Sequence, residues 1–160
     1  MYKLTRLFAV LAICAALVAP GMMSAAPNSS QPANPAKVTV SVSPGSVAPG
    51  GEAQVTVKLT ASSGIKINRY PKIKVSVPAT EGFVAEAEAE VGNDSPPPLD
   101  DPESNYFEVV DPVTLKLDLD DSIKSGAHEI EGKLIYYYCV TKSGFCAPKR
   151  TSVKIAVNVK

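Results

Sequence analysis

From Lys37 onward, apolar residues recur in steps of two, and this alternation restricts the chain more than any other feature. Successive side chains of an extended segment point to opposite faces, so a period of two gives a strand one apolar face. Val38, Val40 and Val42 share such a face, as do Val55, Val57 and Leu59, and then Ile73, Val75 and Val77. The pattern returns in Leu115, Leu117 and Leu119 and in Val153, Ile155, Val157 and Val159. Turn signals lie between the runs: Pro44-Gly45, Pro49-Gly50-Gly51, Ser63-Gly64 and Ser125-Gly126. A strand with one apolar face must bury it against a second layer. Many short strands between tight turns therefore predict an all-β chain, an immunoglobulin-like antiparallel β-sandwich with a small barrel as the alternative.

Two stretches need separate treatment. Phe83, Ala85, Ala87, Ala89 and Val91 alternate with Glu86, Glu88 and Glu90. Alanine and glutamate favour helices, but strict alternation would scatter the glutamates around a helix and leave no apolar stripe, so the run is expected to be a strand. Residues 92–104 (GNDSPPPLDDPES) hold three consecutive prolines among acidic residues and cannot form a ladder strand, which predicts a long surface loop.

The N-terminus has the pattern of a signal peptide. Lys3 and Arg6 precede an apolar run over residues 7–18, Pro20-Gly21 breaks it, and Ser24-Ala25-Ala26 offers small residues for cleavage. The run is short against the about 20 residues that a permanent membrane helix needs. Residues 1–26 are thus expected to be removed, residues 27–36 to act as a polar, proline-containing tether, and residues 37–160 to form one periplasmic or secreted domain. Lipid anchoring at Cys14 is not expected, because Ile13 is too large for the position before a lipidated cysteine.

Charge and composition narrow the function. The 16 basic and 16 acidic residues balance, and no basic stretch interleaves with aromatics, so neither nucleic acid nor an anionic membrane is an expected partner. His128 is the only histidine, too few nitrogen ligands beside two distant cysteines for a zinc site, and no metal or cofactor is expected. Asp118 and Asp120 alternate with Leu117 and Leu119, as a solvated strand face does. No phosphate-binding glycine loop or serine-histidine constellation occurs.

After signal cleavage, Cys139 and Cys146 are the only cysteines, and in an oxidising compartment two such residues pair. A strand over residues 134–140, a turn over 141–144 and a strand returning from Lys149 would set them opposite each other near a hairpin tip. A loop this short contributes about 2.5 kcal/mol in the chain-entropy model, toward the low end for disulfides. Disulfide exchange needs a reachable sulfur and a neighbour that tunes it. Tyr137 shares a strand face with Cys139 and is expected to pack beside the pair, with Phe145 covering Cys146, while Tyr136 and Tyr138 point the other way.

The stretch Gly126-Ala127-His128-Glu129-Ile130-Glu131-Gly132-Lys133-Leu134, followed by Tyr136, Cys139, Phe145-Cys146 and Pro148, resembles the N-terminal domain of the periplasmic thiol:disulfide interchange protein DsbD. Gly64-Ile65-Lys66-Ile67-Asn68 and Tyr70-Pro71 are similar to an upstream segment of that family. The resemblance implies an immunoglobulin-like fold whose redox-active pair is Cys139 and Cys146. It further implies electron transfer between a transmembrane thiol reductase and thioredoxin-fold partners. The family shields its cysteines with an acidic-aromatic cap loop, and the nearest counterpart is Asp100-Asp101-Pro102-Glu103 leading to Tyr106-Phe107. Three departures stand out. The chain stops at Lys160, so a separate membrane reductase is expected to supply electrons. The cysteines are one residue further apart than is usual in the family, and Lys66 stands where a histidine often does.

Overall fold

In the computed structural model, residues 32–160 are described. The expected signal peptide, Cys14 and the start of the tether lie outside the described residues. The alternating segments fold as strands: β1 (Ala36–Ser43), β2 (Glu52–Ala61), β3 (Ile65–Ile67), β4 (Ile73–Val77), β5 (Ala87–Val91), β6 (Val113–Asp118), β7 (Gly126–Val140) and β8 (Cys146–Val159). One short 3-10 turn, Pro102–Asn105, interrupts the long loop before β6. Among the described residues no helix is long and apolar enough to cross a membrane.

The strands form two antiparallel sheets, one ordered β1-β2-β6 and one five-stranded. In the second, β8 lies along one edge of β7, while β3 and β4 pair with successive stretches of its other edge and β5 lies outside β4. After β1 the chain crosses between the sheets, and Val47 pairs in parallel with Val159 at the end of β8. Two antiparallel sheets packed face to face, with the chain after β1 bridging to the end of β8, make an immunoglobulin-like β-sandwich. The sheets meet at their edges only through isolated bridges, Val47 with Val159 and Val84 with Leu119, and among the described residues no continuous ladder joins them, which makes the fold a sandwich rather than a barrel.

The core lies where the alternation put it. Val55, Val57 and Leu117 of the first sheet and Ile73, Val75, Val77, Leu134 and Ile155 of the second are fully buried in one cluster. Each such side chain contributes roughly 1.5–3 kcal/mol relative to exposure.

The Ala/Glu run departs from its expected form. Only its second half is a strand, and Val84 is buried rather than its neighbours Phe83 and Ala85. The turn at Glu81 and Gly82, where Gly82 has φ 66°, sets Val84 opposite Thr80 and Leu119, which shifts the register by one before β5 begins. The outer glutamates of β5 pair with lysines of and before β4, Glu88 with Lys74 and Glu90 with Lys72. The hairpin strands are longer than expected, with β7 starting at Gly126 and β8 at Cys146. The end of the tether is also fastened: the Ser62 amide donates to Pro35 O at 3.0 Å, Lys149 Nζ donates to Ala33 O at 3.0 Å, and Ala36 already belongs to β1.

Tyr136 is 1% exposed, and burial, aided by nearby Tyr138 and opposed by a hydrogen bond from the Ala36 backbone, pushes its phenol up to about 12. A phenol whose folded value is raised loses its proton first in the unfolded chain. It therefore contributes stability that is complete below about pH 10 and is lost as pH rises toward 12, on the order of 2–3 kcal/mol. Urea unfolding at pH 9 and pH 11.5 should show this loss, and Tyr136→Phe should flatten the pH dependence. Parallel pH profiles for the two proteins would contradict the assignment.

Candidate functional site

The site is built at the tip of the β7–β8 hairpin. The Val140 amide donates to Phe145 O at 2.8 Å and the Gly144 amide donates to Val140 O at 2.9 Å, closing a loop in which Gly144 adopts φ 67°. That left-handed conformation is the one glycine reaches without steric cost. The closure places Cys139 directly opposite Cys146 with Cα atoms 4.1 Å apart, the spacing at which facing side chains come closest across an antiparallel pair. A disulfide joins them.

On the other side of β7, Lys66 of β3 is paired with Cys139. Lys66, Cys139 and Cys146 thus form one row across three strands, on the sheet face turned away from the core. β3 is tied to the tip by Thr141, whose amide and hydroxyl both donate to Gly64 O, at 2.9 and 3.0 Å.

A row on an outward face would normally be wet, and Cys146 is exposed. Cys139 is only 5% exposed, because the end of the long loop folds along the free edge of β3. The Arg69 amide donates to Asn105 O at 2.5 Å and the Phe107 amide donates to Ile67 O at 3.0 Å, which sets Tyr106 opposite Asn68. The Asn105 side chain fastens this segment by accepting from the Tyr70 amide at 2.9 Å and donating to Tyr70 O at 3.0 Å. These are backbone groups that the break between β3 and β4 leaves outside the ladder, and buried backbone groups need partners.

The segment carries Tyr106 over the disulfide, and its hydroxyl donates to Cys139 Sγ at 3.6 Å. Asn68 Oδ1 lies 3.6 Å from the same sulfur. Lys66 Nζ sits 4.7 Å from the centre of the Tyr106 ring and pairs with Glu103 in the cap turn. Arg69 stacks over Phe107 at 4.7 Å, and its Nε donates to Tyr106 O at 3.2 Å. Beside this cap, Lys66, Arg69, Glu103, Tyr106 and Phe107 line an open cleft of about 630 Å³.

The expected site residues are distributed unevenly. Cys139, Cys146 and Tyr106 come together. Phe107 is buried in the core cluster, under Arg69 rather than on the sulfurs. Phe145 packs against the core on the opposite face from Cys146 and does not cover it, as the alternation of a strand requires of neighbouring residues. Tyr137 is half-buried on the outward face, where it lines a cleft of about 320 Å³ with Tyr70, Pro71 and Ile135. Tyr136 and Tyr138 face the core, and the Tyr138 hydroxyl has no partner among the described residues.

Asn68, Asn105 and the contacts of Lys66 were not foreseen. Asn68 carries a weak signal, a polar residue directly after Ile67 that turns out 9% exposed; Asn105 carries none, since its partner lies 35 residues away. His128 sits at the other end of the hairpin, with Nε2 2.7 Å from Lys124 O and its ring edge-on to Phe83. Among the described residues no three histidine, cysteine or acidic side chains cluster as metal ligands do. Asp120 is exposed and accepts from the amide and hydroxyl of Ser122, bonds that hold its carboxyl below the usual carboxylate range.

No family model matches the chain, and no curated protein matches it. A cohesin module from a Clostridium perfringens family 33 glycoside hydrolase shares 12% identity and a TM-score of 0.38, covering 78% of this chain and 98% of that one. Murine CRIg shares 10% identity with a TM-score of 0.35, covering 78% of this chain and 98% of that one. AggA, the major subunit of aggregative adherence fimbriae type I from Escherichia coli, shares 14% identity with a TM-score of 0.33, covering 79% and 97%. At these values the likenesses carry no assignment of function.

The side-chain bonds of Asn105 reinforce the backbone pairing that fastens the cap. Asn105→Ala should raise the alkylation rate of Cys139 in the reduced protein on the order of tenfold, given about 1 kcal/mol per hydrogen bond, while the midpoint of urea unfolding moves little. An unchanged alkylation rate would show that the cap is held by its backbone pairing alone.

Proposed function

We propose that this chain is an extracytoplasmic immunoglobulin-like domain that exchanges electrons through the Cys139–Cys146 disulfide. The carrying observation is the asymmetry of the pair: Cys146 is exposed at the hairpin tip, whereas Cys139 is 5% exposed beneath Tyr106. An exchange site needs one sulfur that a partner's thiolate can reach, with protection for the other. The cap over Cys139 also supports the resemblance to the DsbD N-terminal domain, which leads one to look for such a cap between Asp100 and Phe107. On this reading a separate transmembrane thiol reductase reduces the pair. The reduced Cys146 thiolate then attacks the disulfide of a thioredoxin-fold partner, and Cys139 resolves the mixed disulfide, returning the pair to its oxidised form.

A second reading has its own support. The disulfide joins directly paired residues beside a closed turn, so it also serves as a staple of a binding or structural domain. The Asn105 and Arg69 bonds hold the cap for structural reasons as well as chemical ones.

Serine variants expressed in the native compartment separate the two readings. Cys139→Ser leaves Cys146 as an exposed, unresolved nucleophile and should trap a thioredoxin-fold partner as a mixed disulfide. Cys146→Ser leaves only the covered Cys139 and should trap little. If Cys139→Ser traps nothing, the exchange reading is lost and the stapled module is favoured.

A further inference from the structure

We propose that Tyr106 is a catalytic residue of disulfide exchange at this tip, its hydroxyl donating a hydrogen bond to the Cys139 sulfur as that sulfur becomes a thiolate. The inference rests on the exchange reading insofar as attack falls on Cys146, but it needs no physiological partner and is open to test with a small thiol.

The step with dithiothreitol shows what is required. A reductant thiolate attacks Cys146 Sγ; a bond forms between the two sulfurs, the Cys139–Cys146 bond breaks, and the electron pair leaves on Cys139. The second reductant sulfur, deprotonated in turn, attacks the mixed disulfide and releases the Cys146 thiolate together with the cyclic disulfide. Both protein sulfurs take protons from water. The reductant is oxidised by two electrons and the protein pair reduced by two.

The first step is faster the better Cys139 carries negative charge, since a more acidic leaving thiol departs faster. The surroundings of Cys139 work against this in two ways. Its burial removes water from the developing thiolate, and the Asn68 oxygen at 3.6 Å is an acceptor facing a negative charge. Tyr106 is the group that opposes both, a hydroxyl already aimed at the sulfur from 3.6 Å. The other charged or titratable groups on this side are Lys66 on β3, Arg69 just after it, Glu103 in the cap turn, Glu108 just after the cap and Tyr137 on β7. Lys66 is paired across from Cys139 and lies over the Tyr106 ring, so it acts as a positioning residue; its ion pair with Glu103 keeps it there.

The donor is held before any reaction begins. The backbone on either side of the Tyr106 ring is fixed by the Phe107 amide on Ile67 O and by Arg69 Nε on Tyr106 O. A donor aimed at the place where charge develops needs no reorganisation, which is what makes such groups effective. A plain lid would act differently. It would shield the sulfur through the ring, and its hydroxyl would be dispensable.

Tyr106→Phe separates these roles because it keeps the ring and its contact with Lys66 and removes only the O–H. The measurements are the second-order rate of reduction by dithiothreitol, read by alkylation of Cys139 and Cys146 with mass spectrometry, and the thiolate absorbance titration of Cys139 in a Cys146→Ser background. Tyr106→Phe should slow reduction about five- to tenfold, a modest effect for a preorganised donor, and shift the Cys139 titration to higher pH. Incorporating 3-fluorotyrosine at position 106, which keeps the shape and strengthens the donor, should move both readouts the other way. A rate that is unchanged or faster in Tyr106→Phe, or an unmoved titration, overturns the proposal in favour of a lid. Should both Tyr106 effects appear while Cys139→Ser traps no partner, the relay fails and the assignment of Tyr106 stands. The opposite pattern removes Tyr106 alone.

Discussion

Everything at the hairpin tip depends on how β7 uses its two edges. One edge pairs with β8 from Gly126 to Cys139, and the other is divided between β4, opposite residues 133–135, and β3, opposite residues 138–140. Because β3 and β4 share an edge, the chain between them must leave the ladder and return. Its backbone groups at Arg69 and Tyr70 then seek partners elsewhere, and residues 105–107 supply them. Burial of Cys139 is thus a consequence of strand pairing some distance from the sulfur.

The cap inverts the usual logic of a sheet face. Alternation assigns Cys139 to the solvent side, with Tyr137 and Lys66 as its neighbours in the pleat. An added strand segment on the edge of β3 brings an aromatic ring across that face and dries one sulfur while leaving its partner wet. The energy comes from ordinary sources: backbone bonds along β3, the Asn105 side chain, and cations held over the Tyr106 and Phe107 rings. Gly92 opens the loop that leads there with φ 131°, and a Cβ at that position would meet Arg69 O at 2.1 Å. The start and the end of the loop therefore both rest on the backbone of Arg69, which confines a stretch rich in proline and acid.

The sandwich was legible because it rests on periodicity. Strands whose faces differ sharply, such as Val55-Val57 and Leu115-Leu117, fold as their alternation requires, and so does the pairing of Cys139 with Cys146 about the Thr141–Gly144 turn. The pattern failed where alanine blurs it: small side chains gave Phe83 and Ala85 an apparent phase that the turn at Gly82 overrides, burying Val84. At the site, short-range logic assigned Tyr137 and Phe145 to the sulfurs from proximity in sequence. Phe145 was lost because neighbours in a strand face opposite ways. Tyr106 reaches Cys139 from 33 residues away, and Asn105 reaches Tyr70 from 35, contacts set by topology rather than by any local pattern. Only the resemblance to a capped family pointed at that segment.

The reduction potential of the Cys139–Cys146 pair tests the account most directly. Equilibration of the protein with glutathione redox buffers, with trapped thiols read by mass spectrometry, gives the value, and mixing with a thioredoxin gives the rate. A domain that exchanges electrons should show a potential well above about −300 mV and rapid exchange, as labile and catalytic disulfides do. A potential below that value with slow exchange would contradict the account and make the bond a staple of the hairpin.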